Sequence, residues 1–168
     1  MTKANITLIG MSGAGKSAVG NILAVSIGWK FVDTDKLIEA DHVKSLQDIL
    51  NEIVDEGFKE MESLKIKELS GVRHSVFAPG GSVVYSEDAM GLLKNISTII
   101  YLSSDPQKME GRIDTASRGI VGLKGKSFKE LYAERESLYK KFADLTVDTS
   151  GKTPREVAEE ILTANSKA

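Results

Sequence analysis

A chain of 168 residues, 41% hydrophobic and 27% charged, suits one compact soluble domain over 1–168 and is unlike a disordered or fibrous sequence. Basic residues total 22 and acidic residues 24, a net charge of −2, so the basic excess of a general nucleic-acid binder is missing. The chain has no cysteine, which excludes disulfide scaffolds, thiol nucleophiles and cysteine-held metals.

Short apolar runs alternate with longer amphipathic ones. Asn5–Ile9 reads as a first strand and Lys16–Ile27 as the helix after it, followed by a second strand at Lys30–Asp33. Ser45-Leu46-Gln47-Asp48 resembles a capping box that opens a helix, and Glu60–Leu69 is a further helical stretch. Ser75–Ala78 is the third strand, Glu87–Leu93 a helix and Thr98–Leu102 the fourth strand. Thr115–Lys126 carries Gly119, Gly122 and Gly125 among Arg118, Lys124 and Lys126, and reads as a mobile basic segment. Glu130–Lys141 is helical, and Leu145–Val147 is the fifth strand. Thr153-Pro154-Arg155-Glu156 supplies a cap, a proline at the first helical position and an acid at the third, opening a helix over Pro154–Thr163.

The near-continuous apolar strands suggest burial on both faces, so the alternation implies a three-layer α/β domain around a parallel sheet of about five strands. The longest apolar run, near Ile96–Leu102, is too short to cross a membrane, and the start of the chain lacks a signal-peptide pattern. The expectation is a cytoplasmic monomer with no membrane or nucleic-acid partner.

Gly10-Met11-Ser12-Gly13-Ala14-Gly15-Lys16-Ser17 satisfies G-x-x-x-x-G-K-[ST], directly after a strand and at the opening of a helix. Such a loop turns backbone N–H groups inward onto phosphate oxygens, and the helix N-terminus adds partial positive charge. The nucleotide site therefore spans Gly10 to Ala18, with Lys16 reaching the outer phosphates and the Ser17 hydroxyl on Mg²⁺. Gly13-Ala14-Gly15-Lys16-Ser17-Ala18 also fits a dinucleotide-type G-x-G-x-x-A, with Asp35 about twenty residues on. That alternative starts three residues after the strand and leaves Lys16-Ser17 without a role. Asp33-Thr34-Asp35 places two acids at the carboxyl edge of the sheet, beside the loop. His42 and His74 belong to no metal-ligand constellation and read as structural.

With these marks in place, the sequence resembles the shikimate kinase family of P-loop kinases over nearly its whole length. The resemblance rests on the loop, Asp33-Thr34-Asp35, Gly57-Phe58 with Glu62, Gly80-Gly81, and Arg112 with Arg118. Ala133-Glu134-Arg135-Glu136-Ser137-Leu138-Tyr139, Val147-Asp148-Thr149 and Pro154 complete it. It implies a P-loop kinase fold with helices on both faces of the sheet and a mobile lid near 113–126. It also implies ATP as co-substrate, Mg²⁺, and phosphorylation of an alcohol on a small carboxylate metabolite, shikimate first.

By the same resemblance Asp33 binds Mg²⁺ through water and Asp35 takes an acceptor hydroxyl. Gly80 and Gly81 line the acceptor pocket, Arg112 and Pro154 flank adenine, Arg118 covers the phosphates from the lid, and Arg135 grips the acceptor carboxylate. Lys16, Asp35 and Arg118 are then the catalytic set. Three positions depart from the family: Lys59 replaces an arginine that binds the carboxylate, Ser82 replaces a third glycine, and Gly119 replaces a proline after the lid arginine. Lysine keeps the charge of arginine but loses its fork. These departures keep open another hydroxy acid such as homoserine, whose ammonium would need Asp35 or Glu62; a nucleotide-binding switch without turnover is the rival from another class, and a gluconate kinase-like or nucleoside monophosphate kinase-like enzyme is a further alternative.

Overall fold

The computed structural model of the chain describes residues 3–110 and 120–165. Its strands are β1 (Asn5–Ile9), β2 (Lys30–Asp33), β3 (Ser75–Ala78), β4 (Thr98–Ser103) and β5 (Leu145–Asp148). Its helices are α1 (Lys16–Ile27), α2 (Thr34–His42), α3 (Leu46–Glu52), α4 (Asp55–Glu68), α5 (Glu87–Ile96), α6 (Pro106–Glu110), α7 (Phe128–Phe142) and α8 (Pro154–Asn165). The five strands form one sheet of order β2-β3-β1-β4-β5, and each pairing is parallel.

Burial follows that order. Leu8, Phe77, Ile99 and Ile100, on the three central strands, are wholly buried. The edge strands β2 and β5 are partly exposed, so burial on both faces holds for the centre of the sheet only. Helices α1 and α8 pack on each other and on the sheet to form one layer. In the other layer α5 and α7 lie on β4, and α4 packs against α5. Among the described residues no helix is long and apolar enough to cross a membrane.

Three helices differ in existence or start from the sequence reading: the short α6 carried no expectation, α2 was not anticipated, and α4 starts earlier. Asp33-Thr34-Asp35 is not a strand-end turn: β2 runs straight into α2, whose N-cap is Asp33, with its side chain accepting from the Lys36 N–H. The usual signal, a polar loop before an apolar periodic run, is therefore missing. Helix α4 begins at Asp55 rather than Glu60, because Phe58 is buried and belongs to the same apolar face as Ile66.

The topology locates the site. From β1 the chain crosses to β2 on one side of the sheet, whereas from β3 it crosses to β4 on the other. The carboxyl ends of β1 and β3 flank this switch point, where open α/β sheets form a crevice.

Candidate active site

The loop after β1 is shaped by what approaches it. A side chain at Gly10 would place its Cβ 2.8 Å from the Leu102 carbonyl oxygen of β4, so only glycine leaves the strand end that close to its neighbour. Gly15 caps α1 in a left-handed conformation without a side-chain hydrogen bond, and the first turn of α1 carries no acid. The N–H groups of that turn are left for an anion. Lys16 folds over the loop, donating to the Gly10 carbonyl at 2.7 Å and the Met11 carbonyl at 3.0 Å. Burial lowers its pKa to about 8, opposed by the charges of Asp35 and Asp33. This geometry uses Gly10 as the strand-following glycine and gives Lys16 a place, unlike the dinucleotide alternative.

A cavity over the loop is lined by Ser12, Gly13, Gly15, Lys16, Ser17 and Ala18, and by Asp33 and Asp35 opposite. Gly10 and Met11 reach Lys16 through their carbonyls, while the Met11 side chain is buried beside Arg135 and Tyr139. Ser17 Oγ donates to Asp33 Oδ2 at 3.0 Å, and Asp33 Oδ1 accepts from the Lys36 N–H at 3.2 Å. Hydroxyl and carboxylate oxygen side by side at a phosphate cradle are hard donors that suit Mg²⁺. Among the described residues no group of three or more His, Cys, Asp or Glu residues could hold a metal, so such an ion would depend on phosphate oxygens and water as well.

A second cavity adjoins the first, with Ser12, Asp35 and Leu46 lining both. Its floor is Gly80, Gly81 and Ser82 after β3, and its walls include Phe58, Glu62 and Arg135. Arg135 is only 1% exposed, so it is no solvated helix charge. Its Nη2 donates to the Val121 carbonyl at 2.5 Å and its Nε to the Tyr85 hydroxyl at 3.4 Å, and its guanidinium lies 5.3 Å from the Tyr85 ring centroid.

Asp35 and Glu62 face this cavity from α2 and α4. Asp35 Oδ1 and Glu62 Oε1 are buried side-chain atoms with no hydrogen-bond partner among the described residues. Burial pushes the Asp35 pKa up to about 6, partly offset by Lys16. Burial and the neighbouring Asp35 charge push the Glu62 pKa up to about 8. The Ser82 hydroxyl donates to the other Glu62 oxygen, Oε2.

The structure thus brings together the loop, Asp33, Asp35, Gly80, Gly81, Ser82 and Arg135. Lys59 lines neither cavity: it pairs with Glu56 at 3.0 Å and sits 4.7 Å above the Tyr85 ring that it shares with Arg135. Pro154 is the exposed first residue of α8. Arg112, Arg118 and the first half of the expected lid, 113–119, lie outside the described residues. Glu62 was visible only as part of a family pattern, and Tyr85 carried no signal at all; both are brought to the site by packing of α4 and the turn Val83–Tyr85.

Comparison with known proteins identifies the family. The family model described as shikimate kinase matches residues 12–165. A shikimate kinase of Caldanaerobacter subterraneus is 36% identical over 163 residues, covering 95% of each chain. One of Persephonella marina is 33% identical over 159 residues, covering 94% of this chain and 96% of that one. The solved shikimate kinase of Acinetobacter baumannii, in complex with shikimate, superposes with a TM-score of 0.89 at 26% identity, covering 99% of this chain and 94% of that one. A match of this extent, on top of a phosphate loop and a second cavity at the same switch point, means that the chain belongs to the shikimate kinase family, a family of ATP-dependent kinases.

Proposed function

We propose that this chain transfers the γ-phosphoryl group of ATP to a hydroxyl of shikimate, giving shikimate 3-phosphate and ADP. The observation that carries this reading is the pair of adjoining cavities with Asp35 in their shared wall: one opens on the phosphate loop, the other ends at the buried Arg135. A guanidinium fork suits a carboxylate, because two parallel N–H groups meet its two oxygens. Membership of the family and the likeness to a shikimate-bound relative support shikimate as the acceptor.

The loop N–H groups and Lys16 hold the β- and γ-phosphates, and their charge offsets what spreads over the phosphate oxygens during transfer. Asp35 orients the acceptor hydroxyl. As the hydroxyl oxygen forms its bond to γ-phosphorus, the bond to the β-bridging oxygen breaks, ADP departs, and Asp35 takes the hydroxyl proton before passing it to water. Ser17 and Asp33 would hold Mg²⁺, which would neutralise phosphate charge. Gly80, Gly81 and Ser82 shape the acceptor pocket, while Lys59, held by Glu56 and the Tyr85 ring, stays outside its lining.

ADP release measured with shikimate, homoserine, gluconate and nucleoside monophosphates tests the reading. Mg²⁺-dependent multiple turnover with shikimate is expected. Efficient turnover of homoserine with none on shikimate would overturn the acceptor assignment, and nucleotide binding without turnover on any acceptor would favour a switch.

A further inference from the structure

A buried carboxyl group whose oxygens are both unpaired is expensive, and its terminal torsion is soft, so an anchor on one oxygen decides where the other points. Glu62 has such an anchor on one side only. Ser82 donates to Oε2, and Oε1 is left without a partner among the described residues. Asp35 Oδ1 is left in the same condition. Both oxygens converge on one point: a Cβ built on Gly80 would lie 2.7 Å from Asp35 Oδ1 and closer still to Glu62 Oε1. Two buried oxygens from different helices, packed side by side against Gly80 on residues that line one cavity, have no donor among the described residues.

We infer that Ser82 is a positioning residue for acceptor recognition: by holding Glu62 Oε2 it turns Oε1 into the pocket beside Asp35 Oδ1, and the two oxygens together engage neighbouring hydroxyls of the acceptor. This deepens the proposed function and rests on it, since the pocket must be the acceptor site. The chemistry selects a polyhydroxylated acceptor. A hydroxyl both donates and accepts, so it pairs with Glu62 Oε1 whether or not that oxygen carries a proton, whereas an ammonium only donates. The charged or titratable groups facing Glu62 are Asp35 from α2, Arg135 and Tyr139 from α7, and Lys16 from α1. Burial and the Asp35 charge favour the protonated form of Glu62, which leaves an ammonium with one counter-ion rather than two. Ser82 has an ordinary backbone conformation, φ −84° and ψ −10°, so its side chain rather than its backbone is at stake.

Ser82→Ala removes the anchor and keeps the backbone, and Ser82→Gly is a second route to the same loss. Steady-state kinetics with shikimate should show the acceptor KM rising about three- to tenfold, as for one net hydrogen bond. The ATP KM should stay close to the parent's and the acceptor KM should move more than kcat, while the melting temperature should fall, because both Glu62 oxygens are then buried without a partner. In a Glu62→Ala background the same Ser82→Ala change should add nothing to the acceptor KM, because the group that it positions is gone. An unchanged acceptor KM in both Ser82 variants, or an equal rise with and without Glu62, overturns this inference alone while shikimate turnover stands. A parent protein that neither binds nor phosphorylates shikimate overturns the proposed function and this inference with it.

Discussion

Gly80→Ala tests the acceptor pocket at its tightest point. The new Cβ would stand 2.7 Å from Asp35 Oδ1 and nearer to Glu62 Oε1, where ordinary contact begins at 3.4 Å. Asp35 Oδ1 must retreat by several tenths of an ångström, and Glu62 further, although its other oxygen is tied to Ser82. Those are the oxygens proposed to place the reacting hydroxyl, and a misplacement near 1 Å can cost about a hundredfold in rate. The acceptor kcat/KM should therefore fall about a hundredfold, or about 2.7 kcal/mol in the barrier. Gly80 does not line the phosphate-loop cavity, so the affinity for an ATP analogue should hold. Coupled ADP-release kinetics against shikimate concentration, with calorimetric titration of the nucleotide analogue, measure both. A folded variant with the parent's acceptor kcat/KM would refute the argument that these two oxygens define the pocket.

Lys16→Met should lower kcat roughly a thousandfold with the melting temperature preserved, since it removes a cation from the transferring phosphate; near-parental turnover would remove the loop from the chemistry. Arg135→Ala should raise the acceptor KM by the equivalent of about 2–4 kcal/mol, and Arg135→Lys should recover only part of it, because lysine lacks the fork. Equal KM values for the three proteins would count against the carboxylate contact. Glu62 binds its proton more tightly folded than unfolded, so the stability that it contributes is present in acid and is lost as pH rises towards about 8. Asp35 acts in the same direction up to about pH 6, and the lowered pKa of Lys16 acts oppositely above about 8. Melting temperatures of the unliganded protein should consequently fall from about pH 4 to about 8, most steeply below about 6 where both groups act, and Glu62→Gln should flatten the part between about 6 and 8; parallel curves would contradict it.

Local signals were enough for much of the fold, and for a definite reason. The phosphate loop is contiguous, so the glycines, Lys16 and Ser17 show their spacing directly, and the strand before and the helix after sit where expected. The capping residues Ser45 and Thr153 mark helix starts because the cap bond is itself local: Ser45 accepts from the Asp48 N–H, and Thr153 from the Glu156 N–H. The apolar strands and their alternation with helices pointed to the parallel sheet, and the ordered family pattern pointed to the kinase fold.

Other features were decided only in three dimensions. Helix α2 was hidden because Asp33 closes a strand and caps a helix at once, which one residue cannot display in sequence. On its own, Arg135 lies in a charged helical stretch like many solvated arginines; its burial arises because α7 packs over Gly81 and the turn at Val83–Tyr85. Lys59 shows the reverse, since a position matched to a carboxylate-binding group is drawn instead to Glu56 and the Tyr85 ring. The convergence of Asp35 and Glu62 above Gly80 joins α2, α4 and the end of β3, three elements far apart in the chain. Sequence alone determined the nucleotide cradle, because its hydrogen bonds run between near neighbours in one loop. The acceptor pocket was decided by tertiary packing, because its donors and acceptors come from segments that meet only once the sheet has formed.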